Sequence, residues 1–187
     1  MIYTLTLNPS IDYIMPLEHL QLGATNYAQG EYMLPGGKGI NVSRVLNQLN
    51  VPNQALGFIG GHTGKFIEEW LEKEGAACQF IPVEGQTRIN VKLKGESETE
   101  INGRGPEISQ EKSQELKKQI GQLTAQDTLV ISGSKNKGLS ETFYNEIIEI
   151  CQKNQTSFIL DTNSKELLEA LVAQPFLVKP NQVELGD

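Results

Sequence analysis

Thr128-Leu-Val-Ile-Ser132, Phe143-Tyr-Asn-Glu-Ile-Ile-Glu-Ile-Cys151 and Ser157-Phe-Ile-Leu-Asp161, in that order, decide the fold. The outer two are short, continuous apolar runs, the pattern of strands buried on both faces. The middle one places Phe143, Ile147, Ile148 and Cys151 at helical spacing, which predicts a helix with one core face. Going outward, Leu116, Ile120 and Leu123 mark a helix before this unit. Leu167, Leu168 and Leu171 mark another after it, leading to Phe176-Leu-Val-Lys179. Parallel strands need such crossovers, so the alternation predicts an α/β fold around a parallel sheet.

The first hundred residues add strands of two kinds. Ile2–Leu7 and Gln54–Ile59 read as further strands. Arg88–Lys94 alternates strictly, with Ile89, Val91 and Leu93 on one face and Arg88, Asn90, Lys92 and Lys94 on the other. Gly95-Glu96 turns it into Glu98–Asn102, which predicts a hairpin in a separate small sheet. Ile11–Ile14 and Gly30–Leu34 read as short extended pieces. Thr63 is the expected N-cap of a helix with core face Phe66, Ile67, Trp70 and Leu71, and Gly75 its C′ residue.

Leu34-Pro-Gly-Gly-Lys-Gly-Ile-Asn-Val-Ser-Arg44 carries the chemistry. Gly36, Gly37 and Gly39 admit positive φ and close ligand approach, and a helix start supplies free N–H groups. Lys38 and Asn41 add a charge and an amide, so the turn predicts a site for a phosphorylated ligand. It is not a Walker A loop, since no Ser or Thr follows Lys38. The competing reading is a turn built only for tight packing. Val42, Val45, Leu46 and Leu49 predict the core face of the helix that follows.

Three further groups invite a ligand. Arg88, Asn90 and Lys92 on one strand face suit a phosphate clamp, Arg88 above all for its bidentate fork. Asp12 suits sugar hydroxyls or a turn. Ser132-Gly-Ser134, Asp161-Thr-Asn163 and Lys179-Pro-Asn181 all stand at carboxyl ends of predicted parallel strands, where open α/β sheets bind ligands. Gly60-Gly-His-Thr-Gly64 reads as a structural turn, and His19 and His62 as surface residues.

Taken together these stretches resemble the PfkB, or ribokinase-like, carbohydrate kinases, and within them the 1-phosphofructokinases. The segments that carry the resemblance are Thr6–Asp12, Leu34–Arg44, Gly57–Gly61, Thr87–Lys92, Thr99–Gly103, Ser132–Ser134 and Lys179–Glu184. The resemblance implies a three-layer α/β/α parallel sheet with a small β-sheet lid, the lid segments being about 11–35 and 87–105. It implies transfer of the γ-phosphoryl group of ATP, with Mg2+, to fructose 1-phosphate, or alternatively to tagatose 6-phosphate. Asp12, Gly37, Lys38, Asn41, Arg88, Lys92 and Ser134 would hold the sugar phosphate. Lys179, Asn181 and Glu184 would face the nucleotide, Glu184 reaching the metal through water. The lid would join two copies. Lys135-Asn136 departs from the apolar residue and proline usual in the family, so that loop is expected to differ.

The family's Gly-Ala-Gly-Asp motif, which holds its catalytic aspartate, does not occur in residues 1–187. The helix begun at Asn181 also stops within two turns. Both make the chain, on this reading, an incomplete kinase domain that binds substrate and is inactive alone. A sugar-phosphate-binding or dimerising module is the alternative. A formal charge of -7 disfavours nucleic acid. No apolar run suits a membrane, and Cys78 and Cys151, without metal spacing, fit a reducing cytoplasm.

Overall fold

The computed structural model of the protein describes residues 1–162 and 170–180. Two sheets organise it. The larger takes β1 (Ile2–Thr6), β4 (Asn53–Ile59), β5 (Ala77–Pro82), β8 (Thr128–Ser132), β9 (Ser157–Asp161) and β10 (Leu177–Val178), in the order β10-β9-β8-β1-β4-β5. All its pairings are parallel. The smaller takes β2 (Ser10–Pro16), β3 (Tyr32–Gly36), β6 (Arg88–Lys94) and β7 (Glu98–Asn102), in the order β3-β2-β6-β7.

The period-two alternation of the strands sorts side chains between two cores. Leu5, Leu56, Phe58 and Ile131 pack with Leu116 and Ile120 of α3 (Gln110–Ile120) and with Phe143, Ile147 and Cys151 of α4 (Phe143–Asn154). On the opposite face Ala55 packs with Ile40 of α1 (Lys38–Gln48) and with Ile67 and Leu71 of α2 (Gly61–Lys73). Helices therefore cover both faces of the parallel sheet, giving the three layers expected.

The small sheet is reached directly from the large one. Only Leu7, Asn8 and Pro9 separate β1 from β2, and Gly37 alone separates β3 from α1. β2 pairs in parallel with β6, setting Ser10 opposite Arg88 and Asp12 opposite Asn90, with Ile14 opposite Lys92. The predicted hairpin is present, with Lys92 opposite Glu100. Its alternation gathers Asp12, Arg88, Asn90 and Lys92 on one face and leaves Tyr13, Ile89 and Val91 on the other.

Some expectations need correcting. The stripe Val42, Val45, Leu46 and Leu49 is not the core face of α1: Gly39, Ile40 and Ser43 are buried, while Val45 and Leu49 are 53% and 66% exposed. The helix turns its glycine inward because that face lets its backbone approach β1 most closely. Thr63 lies inside α2, whose N-cap is Gly60. Edge strand β5 carried little alternation and was not anticipated. Gly75 does occupy the predicted C′ position, at φ 73. The helix expected around Leu167 and Leu168 falls outside the described residues, as do Asn163 and the segment from Asn181 onward.

Between α3 and α4, Lys117 Nζ lies 2.7 Å from Glu146 Oε2. Ser140 and Thr142 donate to Glu146 Oε1 at 2.6 and 3.0 Å. The Lys117 ammonium first, and then these hydroxyls, pull the Glu146 carboxyl from 4.5 down to about 2. A depressed carboxylate contributes stability above its unfolded value and loses it as pH falls toward the folded one. Glu146→Gln is therefore expected to melt below wild type at pH 7. The gap should close between pH 4.5 and about 2 in thermal scans.

Candidate functional site

A cleft of about 440 Å³ opens where the two sheets meet. Asp12, Arg88, Asn90 and Lys92 line it from the small sheet. Gly37, Lys38 and Asn41 line it from the start of α1, and Gly133 and Ser134 from the end of β8. A net-acidic chain thus concentrates three cations around one concavity.

Asp12 is the most heavily partnered side chain in the cleft. Ser10 Oγ donates to its Oδ1 at 2.9 Å and Asn90 Nδ2 at 3.2 Å, and Lys92 Nζ lies 3.2 Å from Oδ2. Gly36 makes the arrangement possible, since a Cβ there would stand 2.4 Å from Asp12 Oδ1. Lys92 also lies 3.4 Å from Glu100. Burial alone would lower the Lys92 ammonium, but Asp12 and then Glu100 outweigh it and raise it above its ordinary value. Arg88 is oriented by backbone: its Nε donates to Asn8 O at 3.1 Å and its Nη1 to Gly103 O at 3.3 Å. Burial pushes its guanidinium somewhat below its usual value, against Asp12, and it remains charged.

The glycine turn works differently from expectation. Only Gly37, at φ 115, needs a left-handed backbone. Gly39 is required by space, because a Cβ there would lie 2.8 Å from Leu5 O and 2.5 Å from Thr6 Oγ1. Among the described residues no side chain caps the N-terminus of α1, which leaves its N–H groups and dipole for an anion. Lys38 Nζ reaches across to Asp161 Oδ1, at 2.9 Å. Lys179 Nζ approaches the same oxygen at 3.4 Å and lines, with Lys38 and Asn41, an adjoining groove of about 420 Å³.

This constellation can bind a small ligand carrying both hydroxyls and a phosphate, and its surroundings match known proteins along the whole chain. The profile of the "pfkB family carbohydrate kinase" fits residues 5–187. The chain belongs to this family. It is 46% identical, over its full length, to 1-phosphofructokinase of Bacillus subtilis strain 168 and spans 62% of that protein. It is 40% identical to D-tagatose-1-phosphate kinase of Bacillus licheniformis, spanning 61% of it. Its fold superposes with a TM-score of 0.94 on phosphofructokinase-2 from Escherichia coli in complex with substrates and products. That match has 29% identity and covers 99% of this chain and 62% of the other.

Of the residues that the sequence singles out for a PfkB sugar phosphate, Asp12, Gly37, Lys38, Asn41, Arg88, Lys92 and Ser134 all line the one cleft. Lys179 stands apart from them in the adjoining groove, joined through Asp161. Asn181 and Glu184 lie outside the described residues. Reading the sequence overlooked Asn8, Glu100 and Asn102 as cleft residues, although strand alternation from Lys92 through the hairpin points to the last two. The unusual Asn136 is also accounted for. It is buried, and its Nδ2 donates to Asn8 Oδ1 and Pro106 O, each at 3.2 Å, tying the loop after β8 to the floor of the cleft.

Lys179, with its side chain 64% exposed, offers a cation that an anionic group such as a phosphate can reach. Among the described residues no group of three His, Cys, Asp or Glu could hold a metal ion. Nor is any helix among them long and apolar enough to cross a membrane.

Because Gly39 sets the distance between α1 and β1, Gly39→Ala should cost about 1–3 kcal/mol in chemical unfolding. It should also weaken binding of inorganic phosphate by the folded protein, as measured by calorimetry. Unchanged stability would mean that the helix start has room to spare.

Proposed function

We propose that residues 1–187 form the acceptor-binding half of an ATP- and Mg2+-dependent sugar-phosphate kinase whose acceptor is fructose 1-phosphate. The observation that carries this reading is the convergence of Asp12, Arg88, Lys38 and Asn41 on one cleft beside the carboxyl ends of parallel strands. Asp12, pinned by three donors, accepts bonds from sugar hydroxyls. The free edge of Arg88, the Lys38 ammonium and the N-terminus of α1 receive the phosphate, and Ser134 approaches from the sheet edge.

Transfer of a phosphoryl group depends on holding donor and acceptor in line and on stabilising spread charge. ATP, when bound, supplies the phosphoryl group and Mg2+ neutralises its oxygens. On this reading Lys179 faces that side, with Asn181 and Glu184 following it in sequence. No catalytic base is assigned within residues 1–187. They contain no Gly-Ala-Gly-Asp sequence, and the cleft carboxylates Asp12 and Glu100 both face Lys92. Binding without turnover is therefore expected of this chain.

Calorimetry with fructose 1-phosphate, tagatose 1-phosphate and tagatose 6-phosphate tests the acceptor. Fructose 1-phosphate should bind best, and Arg88→Ala should weaken it about tenfold or more, the scale of a lost charged hydrogen bond. Equal affinity for all three sugars would sink the assignment, and an indifferent Arg88→Ala would mean the phosphate lies elsewhere.

The same reading uses the back of the lid as a contact between two copies. Met33, Ile89 and Ile101 stand there 47%, 44% and 60% exposed. Ile101→Glu is expected to shift a dimer to monomers in analytical ultracentrifugation without changing sugar-phosphate affinity. A wild-type chain that is already monomeric at tens of micromolar would remove this contact.

A further inference from the structure

Asp161 ends β9 in the middle of the site's cationic edge and faces cations rather than the acceptor cleft. It is 6% exposed, and its backbone is fixed in place, with its carbonyl accepting from Gly133 N at 3.1 Å. A single oxygen, Oδ1, serves Lys38 at 2.9 Å and Lys179 at 3.4 Å. The two lysines come from opposite sides, one from the first turn of α1 and the other just past β10. Their ammonium groups are therefore separated by no more than the sum of those two distances. Among the described residues, the carboxylate between them is what holds two like charges that close.

We propose that Asp161 is the internal counter-ion of the phosphate site. It occupies Lys38 and Lys179 in the ligand-free protein and yields Lys38 to an arriving phosphate. The physical basis is competition for one cation. A carboxylate brings one negative charge, whereas a phosphate monoester near neutral pH brings about −1.5 to −2 and three acceptor oxygens. The phosphate also gains the N-terminus of α1, which Asp161 does not use. On release, Asp161 retains Lys179, so occupancy of the acceptor site is felt by the lysine on the other side. Monoanionic ligands compete less well, which makes the site selective for the dianion. The proposal builds on the sugar-phosphate reading but concerns the cation pair itself.

The test is calorimetry with inorganic phosphate and with fructose 1-phosphate, on wild type, Asp161→Asn and the double variant Asp161→Asn/Lys38→Met. Removing the competitor should tighten inorganic phosphate about twofold to fivefold, the scale of a partly exposed ion pair. The added Lys38→Met should abolish that gain. An Asp161→Asn protein that melts cooperatively and binds phosphate no better than wild type overturns the proposal, as does a gain that survives Lys38→Met. A second measurement needs no change at Asp161. With lysines carrying carbon-13 methyl labels, phosphate should shift the Lys38 and Lys179 signals together in the wild-type chain. A shift of Lys38 alone overturns the coupling. If inorganic phosphate behaves as described and fructose 1-phosphate does not bind, the sugar-phosphate reading fails while the counter-ion role stands. The reverse result separates them the other way.

Discussion

The site depends on how closely the first turn of α1 can lie against β1. At residue 39 the gap admits a hydrogen atom and no methyl group, for Leu5 O would stand 2.8 Å from a Cβ. That contact brings an uncapped helix start over the carboxyl end of the central strand. Lys38 is then long enough to reach β9, two strands away across β8, and Asn41 turns toward the cleft. The cost is borne by the rest of the helix, whose valine and leucine stripe is left on the surface. Had α1 packed by that stripe, Lys38 and Asn41 would have been turned away from the cleft.

Charge in the cleft is arranged as carefully as shape. Each cation already has a partner that fixes its direction: Lys38 an aspartate, Lys92 a carboxylate on either side, Arg88 two backbone carbonyls. Lys92 and Arg88, tethered by partners they keep, lose little entropy when a ligand arrives, which is the main advantage of a preorganised site. The lid enters the same network, because Asp12 on β2 is held by Asn90 and Lys92 on β6. The small sheet is thus tied together by the residues that would hold the sugar.

Much of this was legible without coordinates. Strand–helix alternation from Thr128 to Asp161 implied the parallel sheet, and the strict alternation of Arg88–Lys94 implied both the hairpin and its polar face. Glycines, lysine and a helix start at 36–41 implied an anion site. These signals are local, since each is a period or a turn that neighbouring residues impose on one another. Edge strand β5 was missed because Ala77–Pro82 lies at the margin of the sheet, where burial is partial and the pattern weak.

The sequence by itself determined most of the element types, the family and the residues that gather around one cleft. Tertiary structure alone decided which face of α1 is buried, since two candidate stripes compete and only backbone packing at Gly39 separates them. It alone brought Asp161 to Lys38, 123 residues away along the chain. A pairing of that kind leaves no periodic trace, because it is made by the order of strands in the sheet and by the reach of one side chain across it.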